Sequence, residues 1–312
     1  MYTKMEYFTM LLVVGMVAIA EHYGINEVIF PEIAALAFGA WVMEERAWPG
    51  PAWTIWLSPT LGAATGVLLL RLLPVSLPIV VAVAFVFVLL ELRLLRSAMS
   101  PSISAAILPV IAGIRSWTYP LAVCLMTAAI AWLSHRRDRA KNASPRPVPA
   151  IAAASEAGPG NAREWLHYGK LVFFVSLLAV LSQSLNWLYM IAPPLIVAFV
   201  EIAHPDSPLR EKSMKRLLVL LTGCALSGMA WVVLVSRVFS GPLWLAAGLS
   251  VATAFLLAKR LGLAAPPAFA LALLPTILPP QALFAYPLHV LLGGLLFIGI
   301  SLLWFRTASA AA

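Results

Sequence analysis

The sequence predicts an all-α polytopic membrane protein of about twelve transmembrane segments, arranged as two six-segment repeats. Three observations predict it. The chain is 62% hydrophobic and only 11% charged, against roughly 25% charged in soluble domains. Apolar runs of about 15–22 residues, the length that spans a bilayer, recur along the whole chain between short polar breaks. Finally, a nine-residue stretch occurs twice: PSISAAILP at 101–109 and PAFALALLP at 267–275. Each copy is bracketed by prolines and followed by a Tyr-Pro pair, Tyr119-Pro120 and Tyr286-Pro287.

The first repeat, 1–134, holds segments at 6–22, 29–43, 54–72, 77–94, 100–114 and 117–134. Lys4, an apolar run and Ala18-Ile19-Ala20 resemble a signal peptide. The same stretch aligns with 171–188, so it is read as a retained first span. Residues 135–167 form a basic cytoplasmic linker, opening His135-Arg136-Arg137-Asp138-Arg139 and continuing in Pro, Ala and Ser. That composition builds no core. The second repeat, 168–312, holds segments at 168–186, 190–204, 214–236, 241–258, 263–279 and 285–306. Pro31 matches Pro194, and the small-residue motif at Gly62 and Gly66 matches that at Gly223 and Gly228.

Orientation follows from Lys and Arg. With the N-terminus inside and twelve crossings, only Arg71, Arg115 and Arg237 of the 21 basic residues lie outside. Cytoplasmic loops carry such an excess, so both termini are expected in the cytoplasm, and a bacterial inner membrane fits. Six crossings per half make the repeats parallel. The fifth and eleventh segments are short for about 30 Å of hydrocarbon. Were both re-entrant, the repeats would be inverted.

The proline-bracketed segments are the first candidates for function. Pro101, Pro266 and Pro267 open helices, where a missing N–H costs nothing. Pro109 and Pro275 lie further in, and each frees a carbonyl one turn back. In lipid that carbonyl needs a partner. Either a broken helix lines a solute path, or a kink is tolerated in a packed bundle. On the first reading Ser100, Ser102, Ser104 and Thr276, with Ala268 among them, line the path. Arg115 and Arg216 attract anions at its outer and inner mouths, or snorkel. Glu201 and His204, three residues apart, share a helical face and are the candidates for proton coupling. Asp206 or Ser207 caps the next helix in a loop that sets topology or gathers anions. Glu32 and Glu91 read as interfacial. The glycine motifs read as close helix packing.

There is no catalytic set, metal-ligand cluster or phosphate loop, so no enzyme, cofactor or metal is expected. Cys124 and Cys224 read as small buried residues. The net charge of +8 sits in membrane-flanking loops and does not point to nucleic acid. The expected partners are the bilayer and a small solute, with self-association left open.

These motifs resemble the HPP family of integral membrane proteins, named for a His-Pro-Pro motif that opens a short helix before small residues. Ala265-Pro266-Pro267-Ala268-Phe269-Ala270-Leu271-Ala272 is similar to that motif. Pro205-Asp206-Ser207-Pro208-Leu209, Arg216, Gly223 and Gly228 are similar to its upstream loop, basic residue and glycine helix. The resemblance covers most of 168–306. The first half resembles a more divergent copy, with Ser100-Pro101 at the double-proline position. The motif histidine is replaced by Ala265 and Met99. The resemblance implies a transporter of a small, nitrite-like anion. The alternative is a non-transporting scaffold or partner-binding subunit.

Overall fold

The computed structural model describes residues 2–305 apart from 141–161, 205–206, 208 and 211–212. The regular structure of the described residues is helix without strands, and eight of these helices are long and apolar enough to cross a membrane. These are α1 (Lys4–Tyr23), α3 (Trp53–Leu72), α4 (Leu77–Leu94), α6 (Thr118–Ala140), α7 (Ala162–Ser184), α9 (Met214–Trp231, continued by a wider turn to Val238), α10 (Leu243–Leu261) and α13 (Tyr286–Trp304). Their outer faces expose large apolar side chains such as Leu11, Leu94, Leu121 and Leu303, as lipid contact requires. That surface is compatible with an integral membrane protein.

Four helices are short. They are α2 (Glu32–Ala37, widened as a π-turn to Val42), α5 (Pro101–Ala112), α8 (Pro193–Ala203) and α11 (Pro266–Leu273, tightened to Thr276). A further single turn, α12, covers Pro280–Leu283. At 12 residues, α5 is about 18 Å long, well short of the hydrocarbon thickness. The expected segments at 29–43, 100–114, 190–204 and 263–279 are therefore helical over only part of their length. These helices are buried and pack on one another, α2 against α11 and α5 against α8.

Side-chain contacts fix the directions. Lys259 near the end of α10 pairs with Glu6 at the start of α1, at 2.7 Å. Glu21 near the end of α1 accepts from Leu243 and Trp244 at the start of α10. These two helices are antiparallel, and they define a near face (the start of α1) and a far face. After α1, Gly24 at φ 67 turns the chain back. Only glycine takes that conformation without cost. A short segment containing one 3-10 turn, Asn26–Val28, then descends until the Phe30 N–H meets the Met16 sulfur at 3.3 Å. That depth is about 10 Å inside α1. From there α2 runs to the near face, where Arg46 bonds Ser134 and Asp138 at the end of α6. The route thus crosses by a 3-10 turn and then by half a helix. By contrast α5 starts inside and runs beside α3 toward the far face, ending at Gly113 with φ 70.

Close approach sets the packing. A Cβ on Gly66 would sit 2.0 Å from the Ala106 carbonyl oxygen, and one on Gly228 equally close to that of Ala272. Gly62 is similar against Ser102, but Gly223 has only Leu257 nearby, at 3.5 Å. Cys224, which lies 162 positions on from Gly62 as Gly228 does from Gly66, is also buried.

Helix covers both ends of the linker expected over 135–167, whose centre, 141–161, lies outside the described residues. α6 continues to Ala140 and α7 starts at Ala162.

Candidate functional site

The four short helices bring their first turns together. Glu32 and Ala35 of α2, Pro101 of α5, Pro194 and Val197 of α8, and Pro267 and Ala270 of α11 line one central cavity with Trp48. Its volume is about 10 Å³, near the lower limit for a single water.

Proline explains how four helix starts can share a dry interior. A helix N-terminus leaves N–H groups without intrahelical partners. Prolines at the first positions of α5, α8 and α11 remove some of them. The next ones are satisfied locally: Ser102 by Met99, Leu195 by Ala192 and Ala268 by Ala265, at 3.0, 2.8 and 3.1 Å. No cradle of free N–H groups is built here. What remains at these ends is the partial positive charge of the helix dipoles.

The carbonyls freed by Pro109 and Pro275 are closed in the same way in both copies. The position four residues before Pro109 is Ala105, whose carbonyl accepts from the Tyr119 hydroxyl at 3.0 Å. The one before Pro275 is Leu271, which accepts from Tyr286 at 2.9 Å. Both tyrosines are 0% exposed. A tyrosine from a long helix occupies each, so both carbonyls are satisfied within the protein.

Two carboxyls face α5. Ser104 donates to Glu32 Oε1, and Ser100 donates to Glu201 Oε1 at 2.6 Å. Trp48 Nε1 donates to the same Glu201 oxygen at 3.0 Å and to Ser100 at 2.8 Å. Ser100 and Ser104 are four residues apart, so they share one face of the helix. Glu32 is only 1% exposed, and its Oε2 has no hydrogen-bond partner. Its interfacial placement is corrected, because the chain dips inward before α2 begins. Glu91 is half-buried in α4 and accepts from Thr65.

Other expected residues lie apart from the cavity. Glu201 turns to Trp48 and Ser100, whereas the His204 ring sits edge-on to His167 at 6.4 Å. Arg115 follows α5 and Arg216 lies in the first turn of α9; both are exposed and neither lines the cavity. Thr276 is spent on the Leu273 carbonyl at 2.8 Å. Ser102 is fully buried without a partner. Asp206 lies outside the described residues. Ser207 accepts from Leu209 N–H in a turn, and Ser213 occupies the position before α9. The cap expected from Asp206 or Ser207 is thereby corrected.

Sequence reasoning noticed Glu32 but set it at the membrane interface, and overlooked Trp48. Glu32 carried a signal, being the one charge within 28–43. Trp48 carried none, since it lies in a Pro- and Gly-rich turn. No protein-family model, no curated protein and no solved structure matches this chain.

Proposed function

We propose that this chain is a membrane transporter for a small solute, built as two parallel six-segment repeats. The solute passes where the four short helices meet. The single observation that carries the reading is Glu32 itself, a fully buried carboxyl with one unpartnered oxygen among the first turns of the short helices. An ionisable group inside a bundle of membrane-length helices is costly and marks ion or substrate paths. Discontinuous helices that meet near the bilayer midplane are the usual frame for such sites.

Recurrence supports the repeats. The Tyr119–Ala105 and Tyr286–Leu271 bonds are offset by 167 and 166 positions, and the Gly66–Ala106 and Gly228–Ala272 contacts by 162 and 166. Each proposed repeat has four long helices and two short ones in the same order. The near face is the cytoplasmic one on the Lys and Arg count, in a bacterial inner membrane. Converging helix dipoles and the HPP-like residues around Pro266 and Pro267 favour an anion. The cavity is too small for nitrite, so the structure would represent a closed state, and passage requires the first turns of α5 and α11 to separate.

A scaffold is the second reading, favoured by the sealed carbonyls and the tight centre. Flux of nitrite, nitrate and formate into proteoliposomes, with and without a pH gradient, decides between them. Transport predicts saturable uptake of at least one anion, slowed by Ser104→Ala. Uptake equal to that of empty liposomes for all three leaves the scaffold.

A further inference from the structure

The loop between α2 and α3 sends one large side chain from the near face to the central cavity. Trp48 stands two residues after Arg46, which is tied to Ser134 and Asp138 at the end of α6. Its ring is only 6% exposed and forms part of the cavity wall. The rest of that wall comes from the helices α2, α5, α8 and α11. The wall is apolar, so an aromatic ring closes it without stranding a polar group.

The chain builds a seat and a latch for this ring. The seat is Gly39, in the π-turn that ends α2. A Cβ there would lie 2.5 Å from the Trp48 ring, so any other residue would push the ring out. The latch is polar. Trp48 Nε1–H donates to Ser100 Oγ at 2.8 Å and to Glu201 Oε1 at 3.0 Å. Ser100 donates to the same Glu201 oxygen at 2.6 Å. Glu201 stands one helical turn beyond Val197 of the cavity wall, toward the near face. One indole therefore ties the end of α8 to the start of α5 on that side of the cavity. The root of the loop is fixed, because Ala47 N–H bonds the Gly39 carbonyl at 3.1 Å and Arg137 bonds the Trp41 carbonyl at 2.7 Å. Beyond Trp48 the chain reads Pro49-Gly50-Pro51, with Gly50 at φ 134, where glycine alone is unstrained. Prolines lock their own φ, which leaves Gly50 as the freest joint of the loop.

We infer that Trp48 is the near-face gate of the central cavity, held shut by Ser100 and Glu201. As a gate it deepens the transport reading, and its part in passage rests on that reading. In the closed state the indole fills the way in from the near face. Release of its N–H lets the ring leave Gly39 and joins the cavity to the water beyond. That water then pairs the released donor and its acceptors, so opening strands no polar group. Alternating access needs the gate to close again, and a chain that cannot relatch loses saturable uptake.

The test is the reactivity of a cysteine on the cavity wall, Ala270→Cys, toward a membrane-impermeant maleimide in sealed proteoliposomes of the full chain. Mass spectrometry locates the label at position 270, apart from Cys124 and Cys224. A Lys4→Cys control marks the near face. With Trp48 in place, position 270 should react slowly from both faces. Adding Trp48→Ala should speed labelling from the near face alone. A minor open state is at most about 10% populated, so fixing it open gains at least about tenfold. Trp48→Phe keeps an aromatic ring without the latch and should gain about threefold to tenfold, the scale of a hydrogen bond between membrane helices. Far-face labelling should stay slow throughout, which separates an opened gate from a misfolded chain; where Trp48→Ala misfolds, Trp48→Phe decides. Near-face rates that do not change with position 48, or a gain from both faces alike in both variants, overturn the inference. Nitrite uptake is measured on the same liposomes. Uptake without any dependence of labelling on Trp48 removes the gate and spares the transport reading. Labelling that depends on Trp48, without uptake of nitrite, nitrate or formate, keeps the gate and removes the transport reading.

Discussion

The α5–α8 contact and the α11–α2 contact occupy corresponding places in the two proposed repeats, yet they are made of different chemistry. In the first, Glu201 meets Ser100 and Trp48 through hydrogen bonds. The position 163 before Glu201, the offset of Pro194 from Pro31, is Phe38. Phe38 stacks on Phe269 of α11 with ring centroids 4.1 Å apart, and Phe255 packs on both. Likewise Ser104 corresponds to Ala270 and Glu32 to Leu195. One copy holds carboxyls and hydroxyls; the other is a dry aromatic cluster. A buried carboxyl costs stability unless it is bonded, and stacked rings contribute it. The difference teaches that similar short-helix contacts carry different chemistry in the two proposed repeats, with the polar groups concentrated around α5.

Substitutions that ignore this division should have the largest effects. Gly66→Leu and Gly228→Leu drive a side chain into a carbonyl of the neighbouring short helix. Backbone cannot yield as a side chain does, so the cost exceeds the about 1–3 kcal/mol of ordinary overpacking. Both variants should lose monodisperse protein on size exclusion; loss in only one would break the equivalence of the halves. Next comes Phe269→Ala, which removes a fully buried ring and should cost about 3–5 kcal/mol. Thermal unfolding in detergent would register it, and an unchanged midpoint would show that the aromatic cluster is not structural.

Smaller effects sharpen the comparison. Tyr119→Phe and Tyr286→Phe each strip a proline-freed carbonyl of its donor. Hydrogen bonds between membrane helices average about 0.6 kcal/mol, with a maximum near 1.7. The two variants should fall by similar amounts, and a large disparity would argue that one carbonyl also has water. Smallest is Ser102→Ala. This hydroxyl is fully buried and unpartnered, so its loss should leave the melting midpoint unchanged or slightly raised. A clear loss of anion uptake in that variant would return Ser102 to the solute path.

Much of this frame was legible in the sequence because apolar runs report membrane length directly. The segment 77–94 coincides with α4 at both ends, and the prolines at 101 and 266 mark the starts of α5 and α11. The Tyr-Pro pairs were visible too, but their task was not: the reach of Tyr119 back to Ala105 depends on a turn between two helices. The site was harder to read. Glu32 looked interfacial because its depth is set by the fold-back after Gly24, a tertiary feature. Glu201 was noticed, yet local helical spacing favoured His204 over Ser100, which is 101 positions away. Isolated acids in apolar runs are conspicuous; the partners that satisfy them come from elsewhere in the chain.

The most direct test sets Glu201→Gln beside Phe38→Leu, two corresponding positions with opposite assigned tasks. Anion uptake per folded protein and the melting midpoint are measured on both in the same liposomes and detergent. The account predicts that Glu201→Gln loses flux and keeps its midpoint, whereas Phe38→Leu loses stability and keeps flux. If both variants change the same quantity to the same extent, the division of labour between the two contacts is wrong.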